Sequence, residues 1–485
     1  MHTQKAFDVI VIGAGPAGEN VAGICAQAGL EVAVVEGQLV GGECSYWGCI
    51  PSKVLIRPGD VLAAARRVPG AAPAVRGDVD AAETFALRDN FTGNWDDRGA
   101  LPWLTERGVE VVRGRGRLAD TRKVAVEGSH GSVRGMEARR AVVLATGTSV
   151  AMPPIPGLAE AGPWTNRDAT AAKQVPPRLI VLGGGAIGLE MAQAFRRLGS
   201  QEVTVVEAAP RLLIREEPFA ACEIHSALEA EGIAVHAGMA VATVDRDGDG
   251  PVTATLTNGT AVTADEILVA AGRRPATENL GLDRVGLVPG RYVEVDDQLR
   301  ATGVEGAWLY AVGDCNGRAL FTHMAKYQAR VAADVILGQP ASAISDHQAV
   351  PRVTFTDPQV CAVGLTEEQA RQAGIDVGTV RYDTGGVAGA SVLGDPFVGS
   401  SQLVIDRSRQ VLVGATFVGP GTQELLHSAT VAIAGQVPIE RLWHAVPSFP
   451  TVSEVWLRLL EAYGQSGTVS HGVNNQDKVT GSRSG

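Results

Sequence analysis

Two stretches of this 485-residue chain repeat one pattern: an apolar run, a glycine-rich turn, a helical stretch, and a second apolar run that ends on a glutamate. The first copy is Phe7-Asp-Val-Ile-Val-Ile12, then Gly13-Ala14-Gly15-Pro16-Ala17-Gly18, and finally Glu31-Val-Ala-Val-Val-Glu36. The second is Leu179-Ile-Val-Leu182, Gly183-Gly184-Gly185-Ala186-Ile187-Gly188, and Glu202-Val-Thr-Val-Val-Glu207. A short, uninterrupted apolar run that turns straight into a helix reads as a strand buried on both faces of a parallel sheet, so each copy predicts a βαβ unit. In such a unit Gly13 and Gly183 permit the tight turn, Gly15 and Gly185 let a pyrophosphate approach the backbone, and Gly18 and Gly188 let helix and strand pack closely. Glu36 and Glu207 stand where a carboxylate accepts hydrogen bonds from ribose hydroxyls. Either glycine motif alone would also suit a plain tight turn. Strand, helix and acidic residue together specify a dinucleotide site, and two sites imply two dinucleotides, as hydride transfer between a nicotinamide and a flavin requires.

Just after the first unit comes Gly41-Gly42-Glu43-Cys44-Ser45-Tyr46-Trp47-Gly48-Cys49-Ile50-Pro51-Ser52-Lys53. In a straight α-helix residues five apart have Cα atoms roughly 8–9 Å apart, beyond the ~4.4–6.8 Å that a disulfide spans, so the backbone must bend if Cys44 and Cys49 pair. Gly48 supplies conformational freedom, and Pro51 lacks the N–H that would bond back to Trp47. A disulfide held in a non-ideal turn is easier to reduce than a relaxed one, and a helix N-terminus stabilises a thiolate. The competing readings are two unrelated buried cysteines or half of a metal site; the latter needs further ligands at short spacing, and the nearest other cysteine, Cys25, falls in the helix of the first unit.

Composition narrows the setting. A chain of this length predicts two to four domains. The formal charge of -11 argues against a nucleic-acid or membrane-surface partner. No apolar run approaches the ~20 residues of a membrane span. The N-terminus lacks the form of a signal peptide, and six scattered cysteines do not suggest a disulfide scaffold, so a cytoplasmic location is expected.

The Gly41–Lys53 segment resembles the active-site segment of the class I flavoprotein (pyridine nucleotide-) disulfide oxidoreductases, the group that includes dihydrolipoamide dehydrogenase, glutathione reductase and mercuric reductase. The resemblance implies an α/β fold with two Rossmann-like domains, one for FAD and one for NAD(P), plus an α+β dimerisation domain. Carried onto this chain, residues 1–154 and 275–345 form the FAD domain, 155–274 the NAD(P) domain and 346–465 the interface domain; 466–485 are polar, Gly/Ser-rich and read as a disordered tail. The family pattern places Gly42, Lys53, Thr146, Gly147, Asp314 and Ala325 beside the flavin, pairs Lys53 with Glu190, and puts Gly272 in the segment that closes the nicotinamide domain. Cys49 would be the flavin-proximal thiol and Cys44 the one that meets a disulfide or dithiol substrate. Glu207 would repel a 2′-phosphate and favours NADH over NADPH, against which Arg211 and Arg215 follow closely. A homodimer with an active site shared between subunits is implied.

Further elements are expected from pattern: helices over 57–67, 80–107 and 320–338, an antiparallel excursion from Gly108 onward, and, past Val350, strands with two helices. His323, in the first turn after Phe321, reads as a packed residue or, less simply, as a base. The resemblance breaks at the C-terminus. The family's His-Pro-Thr followed by Glu corresponds here to Phe449-Pro450-Thr451 and Glu454, so Phe449 stands in the histidine's place. A register through Pro447-Ser448 puts Val446 there instead and loses Glu454 as well. Either His444 reaches in from a rearranged loop, or the acceptor needs no such base. The alternatives to dithiol chemistry are therefore reduction of a quinone or metal ion, and a flavin-binding scaffold without catalysis.

Overall fold

The computed structural model describes residues 5–466, so the tail expected from residue 466 lies, beyond that residue, outside the described residues. The chain begins with β1 (Lys5–Ile12), α1 (Pro16–Gln27) and β2 (Val32–Glu36), which pair in parallel with Val9 opposite Val32. Val9, Ile10 and Val11 are wholly buried, which is why the run has no polar alternation.

Next come α2 (Gly42–Tyr46), α3 (Cys49–Arg67), α4 (Ala81–Phe91) and α5 (Leu101–Thr105). The single helical pattern expected over 80–107 is thus broken. Gly93 and Asn94 take left-handed backbone at φ 56° and 52°, and Asp97 turns its carboxylate back to accept from the N–H of Val40 at 2.7 Å. The chain then enters β3 (Glu110–Arg113), which runs parallel to β2 rather than antiparallel as expected. The reason is that α2–α5 act as a crossover, which returns the chain in the direction it left. The antiparallel excursion starts one strand later, with β4 (Arg115–Asp120), β5 (Lys123–Glu127) and the first half of β6 (Val133–Leu144). The second half of β6 lies parallel to β1, Val9 opposite Ala141.

A short ribbon carries the chain out and back: β7 (Thr148–Val150) will pair with β15. Between them α6 (Asn166–Ala171), β8 (Arg178–Leu182), α7 (Ala186–Leu198), β9 (Glu202–Glu207), α8 (Pro218–Ala230), β10 (Ile233–Ala237) and β14 (Glu266–Val269) build a four-stranded parallel sheet in the order β10-β9-β8-β14. A three-stranded antiparallel sheet, β11 (Val241–Arg246), β12 (Val252–Leu256) and β13 (Ala261–Ala264), packs on it. After β15 (Arg273–Pro275), β16 (Leu309–Ala311) rejoins the first sheet beside β6, and α9 (Thr322–Ile336) lies against α1 through Ala325, Ala329, Ala332 and Ala333.

The last unit follows α10 (Ser345–Gln348). Its five antiparallel strands are β17 (Pro351–Thr354), β18 (Gln359–Gly364), β19 (Val377–Asp383), β20 (Ser400–Asp406) and β21 (Val411–Gly419), in the order β17-β18-β21-β20-β19. Instead of two helices this unit has five among the described residues: α11 (Glu367–Gln372), α12 (Ala388–Leu393), α13 (Gln423–Ala434), α14 (Ile439–Leu442) and α15 (Glu454–Ser466). Three of these are six residues or shorter, too brief to leave a periodic signal.

Candidate active site

The backbone between the cysteines bends where the spacing requires. α2 ends at Tyr46, Trp47 and Gly48 leave helical geometry, with Gly48 at φ -123° and ψ -108°, and Cys49 opens α3. Gly48 therefore caps α3. Pro51 plays a different part from the one expected: as the third residue of α3 it stands where a helix has no carbonyl to receive its N–H, so it fits the first turn without breaking anything. The two sulfurs are thiols in hydrogen-bond reach of each other. The Cys44 thiol, donating to its neighbour, pulls the Cys49 thiol well below its ordinary range, helped by the Thr322 hydroxyl and the Lys53 ammonium and opposed by burial. Cys44 is pushed the other way by the same hydrogen bond and by burial. Both shifts favour the negative charge on Cys49, the sulfur at the start of a 19-residue helix, over Cys44.

One turn into α3, Lys53 Nζ lies 2.6 Å from Glu190 Oε2 on α7, so the pair expected from the resemblance meets. The other oxygen of this buried carboxylate accepts from the N–H of Phe355 at 2.9 Å, and Lys53 Nζ stands 4.6 Å from the centre of the Phe355 ring. Three units of the chain thus converge on one ammonium group.

The two glycine turns are built alike. Glu36 accepts from the N–H of Ala14 at 2.7 Å and of Gln38 at 2.6 Å; Glu207 accepts from Gly184 and Ala209, both at 2.6 Å. A Cβ on Gly18 would stand 1.8 Å from the oxygen of Gly13, and one on Gly188 2.0 Å from that of Gly183. Gly42, at φ +61°, touches Gly15: a Cβ there would lie 2.8 Å from its Cα. In front of Gly185 and Gly147 there is open space, as there is at Gly272 apart from Ala151 at 4.0 Å. The 12- and 13-residue helices that follow Gly15 and Gly185 have no side-chain cap, so their first N–H groups are free to meet an anion. Close by, the buried hydroxyl of Thr146 has no partner among the described residues, and burial raises the Asp314 carboxyl, which accepts from Thr148 Oγ1 at 2.9 Å. Gly313 turns at φ +74° against Ala325. Uncapped helix ends, an orphan hydroxyl and a buried carboxyl are the donor and acceptor set that a dinucleotide takes, and they fit one in each glycine turn.

The C-terminal residues are not brought to the sulfurs within one chain. His444 is exposed in the turn after α14. Phe449 is 74% exposed and Val446 82%. Glu454 opens α15 and is buried; Oε1 accepts from Arg458 at 2.7 Å, while Oε2 is buried without a partner among the described residues. His323 is occupied elsewhere, its Nε2 2.9 Å from the oxygen of Pro351 and its ring stacked on Phe321. Two groups escape sequence reasoning. Thr322 Oγ1 lies 3.3 Å from Cys49 Sγ, and Glu43, beside Cys44, is held by Asn166 Nδ2 at 2.8 Å and Arg167 Nη2 at 2.6 Å. Their partners are 123 or more residues away, and no local pattern links them.

Residues 7–329 match the pyridine nucleotide-disulphide oxidoreductase family, and residues 350–459 match that family's dimerisation domain. The dihydrolipoyl dehydrogenase of Chlorobaculum tepidum is 35% identical over 458 residues, 92% of this chain and 95% of the relative. The mercuric reductase of Staphylococcus aureus is 31% identical over 92% of this chain and 81% of its own length. Among solved structures, the HOCl-induced flavoprotein disulfide reductase RclA from Escherichia coli superposes with a TM-score of 0.81 at 26% identity, covering 94% of this chain and 99% of that one. With both glycine turns and a thiol pair in place, this chain belongs to the pyridine nucleotide-disulphide oxidoreductases, flavoprotein enzymes that work with FAD and a pyridine nucleotide.

Proposed function

We propose that the chain is a cytoplasmic, NADH-dependent flavoenzyme that acts as a homodimer and moves an electron pair through Cys44 and Cys49 to a disulfide or dithiol substrate of the dihydrolipoamide type. The observation that carries this reading is the thiol pair itself: Cys44 and Cys49 lie in hydrogen-bond reach of each other, with Cys49 opening α3 and its Sγ 3.3 Å from Thr322 Oγ1. Gly13–Gly18, Gly42, Lys53, Thr146–Gly147, Asp314 and Ala325 would hold FAD, which when bound would supply the two-electron relay between the nicotinamide and the sulfurs. The chain's own residues do the rest. A Cys44–Cys49 disulfide that takes up two electrons and one proton becomes a thiol on Cys44 and a thiolate on Cys49. As the Cys44 sulfur attacks a substrate disulfide its proton passes to the leaving substrate sulfur, which departs as a thiol and leaves a mixed disulfide on Cys44. The Cys49 thiolate then attacks Cys44, closes the Cys44–Cys49 bond and releases the second substrate sulfur as a thiolate, and dithiol oxidation runs the same steps in reverse. Glu190 holds Lys53 in place.

Gly183–Gly188 and Glu207 hold the nicotinamide nucleotide in this reading, with Gly272 at the domain's edge. NADH is favoured because Arg211 is committed: its guanidinium donates to the carbonyls of Leu213, Ile214 and Glu216 at 2.9–3.0 Å and so is not free for a 2′-phosphate.

A second reading, reduction of a quinone or a metal ion, is supported by Phe449. The position that would offer an imidazole to a substrate thiol offers a phenyl ring, and a placed base is typically worth ~10²–10⁴-fold in proton transfer. Reductive titration separates the two. The wild-type protein should take up one more electron pair before the flavin bleaches than Cys44→Ser/Cys49→Ser does, and only the wild type should turn over lipoamide with NADH. Equal uptake would remove the thiol relay, and quinone turnover that survives in the double variant would favour the second reading.

A further inference from the structure

α9 delivers its first residue to the redox pair. Phe321, at φ -134° and ψ 139°, is still extended, so Thr322 opens the helix as Cys49 opens α3. The N-termini of a 15-residue and a 19-residue helix therefore face one sulfur. Between them Thr322 Oγ1 lies 3.3 Å from Cys49 Sγ and also reaches Cys44. The helix is anchored by Ala325 and Ala329, buried in the core it shares with α1, and by Gln328, which accepts from the N–H of Gly313 at 2.7 Å. The next residue, His323, is already engaged with Pro351.

We propose that Thr322 is a positioning residue of the redox centre: its hydroxyl donates to Cys49 and stabilises the negative charge on that sulfur. The assignment rests on the thiol-relay reading above. A disulfide sulfur is a weak acceptor, whereas a thiolate is a strong one, so the hydroxyl stabilises the reduced, charged pair more than the oxidised pair. That difference is what a preorganised donor contributes to a reaction that develops charge. It matters more in this chain because Phe449 removes the side chain that would otherwise stabilise charge and hold the proton near the sulfurs. The other charged or titratable groups described around the pair are Lys53 on α3, with Glu190 behind it on α7, Glu43 beside Cys44, held by Arg167, His323 next to Thr322, and Lys326 on α9, whose charge reaches both Cys44 and Glu19 on α1. None of these donates to Cys49 Sγ at hydrogen-bond distance among the described residues, apart from Cys44 itself.

The test uses the Cys44→Ser holoenzyme, in which Cys49 is the remaining thiol of the pair, and follows with pH the long-wavelength absorbance that a Cys49 thiolate gives beside oxidised flavin. Thr322→Val in that background should raise the midpoint by about one pH unit, tenfold less thiolate at a fixed pH, and Thr322→Ser should restore the parent midpoint. Thr322→Ala serves the same purpose if the valine variant releases flavin. Identical midpoints in all variants, or equal shifts for Val and Ser, would overturn the assignment of Thr322 alone. No absorbance at any pH in the parent would overturn the thiol relay and this assignment together.

Discussion

At the scale of single residues, backbone geometry and burial decide more than residue type. Gly42 belongs to a motif usually read for its cysteines, yet its own constraint is steric. It takes φ +61° and has the Cα of Gly15 where its Cβ would be. Left-handed backbone costs an L-residue about 1–2 kcal/mol, and the contact adds to that. Gly42→Ala should therefore emerge from gel filtration depleted of flavin and melt several degrees below the wild type; full flavin retention would show that the Gly15–Gly42 approach is not what shapes the pocket. Glu19, in the first turn of α1, is a titratable group with a clear sign. Burial pushes it from 4.5 up to about 6, partly offset by Lys326. Since the folded value lies above the unfolded one, this carboxyl favours the folded state while protonated, and that contribution is lost as pH rises through about 6. The shift corresponds to roughly 2 kcal/mol, and about 1 after allowance for solvent around a partly exposed group. Glu19→Gln should stabilise the protein by about that much near pH 8 and by almost nothing near pH 4.5, as read from denaturant midpoints. A gain of the same size at both pH values would show that packing, not charge, is responsible.

Among elements, the parallel βαβ units were legible because their signals are local: a buried run, a glycine turn, a helix. The break between α2 and α3 was legible for a different reason, since two cysteines five residues apart cannot bond across a straight helix. What the sequence hid was non-local. The direction of β3 depends on the crossover that precedes it, and the fragmentation of 80–107 depends on Asp97 reaching Val40. The packing of α3 on α7 was legible at one point, where the resemblance pairs Lys53 with Glu190, and hidden at the next. Lys53 meets Glu190 and, seven residues on in each helix, Asp60 meets Arg197 at 3.0 Å, so the two helices run in parallel with their charges exchanged. Arg197 also donates to Glu231 at 2.6 Å and to Asp357 at 2.9 Å, tying both to the first residue of the Asp357-Pro358-Gln359 approach to β18. Its removal leaves Asp60 and Glu231 without their paired cation in a partly buried place, while Asp357 keeps Arg67 at 2.7 Å. Arg197→Met should cost about 3–5 kcal/mol in chemical denaturation, the range for breaking one partner out of a buried pair. A loss below about 1 kcal/mol would mean that water, not Arg197, balances those charges.

For the whole molecule the open question is what covers the segment between α14 and α15. Trp443, Val446 and Phe449 are 42%, 82% and 74% exposed, an apolar run on a surface whose neighbours in the same chain leave it bare. It lies within the residues that match a dimerisation domain, so a second copy of the chain is the natural cover. The sequence pointed to this segment only through a missing histidine, because the exposure of Phe449 leaves no trace in local pattern. If the partner's redox pair is what it meets, catalysis depends on association. Phe449→Asp places a charge in that apolar contact and should weaken the dimer, seen by sedimentation as a dimer-to-monomer transition at protein concentrations where the wild type stays dimeric. Each monomer keeps its own glycine turns, Cys44 and Cys49, so flavin content should not change. Activity per flavin should then fall on dilution and return on concentration, tracking the dimer fraction. A variant that becomes monomeric yet keeps constant activity per flavin would place the whole active site within one chain, and the exposed segment would serve assembly alone.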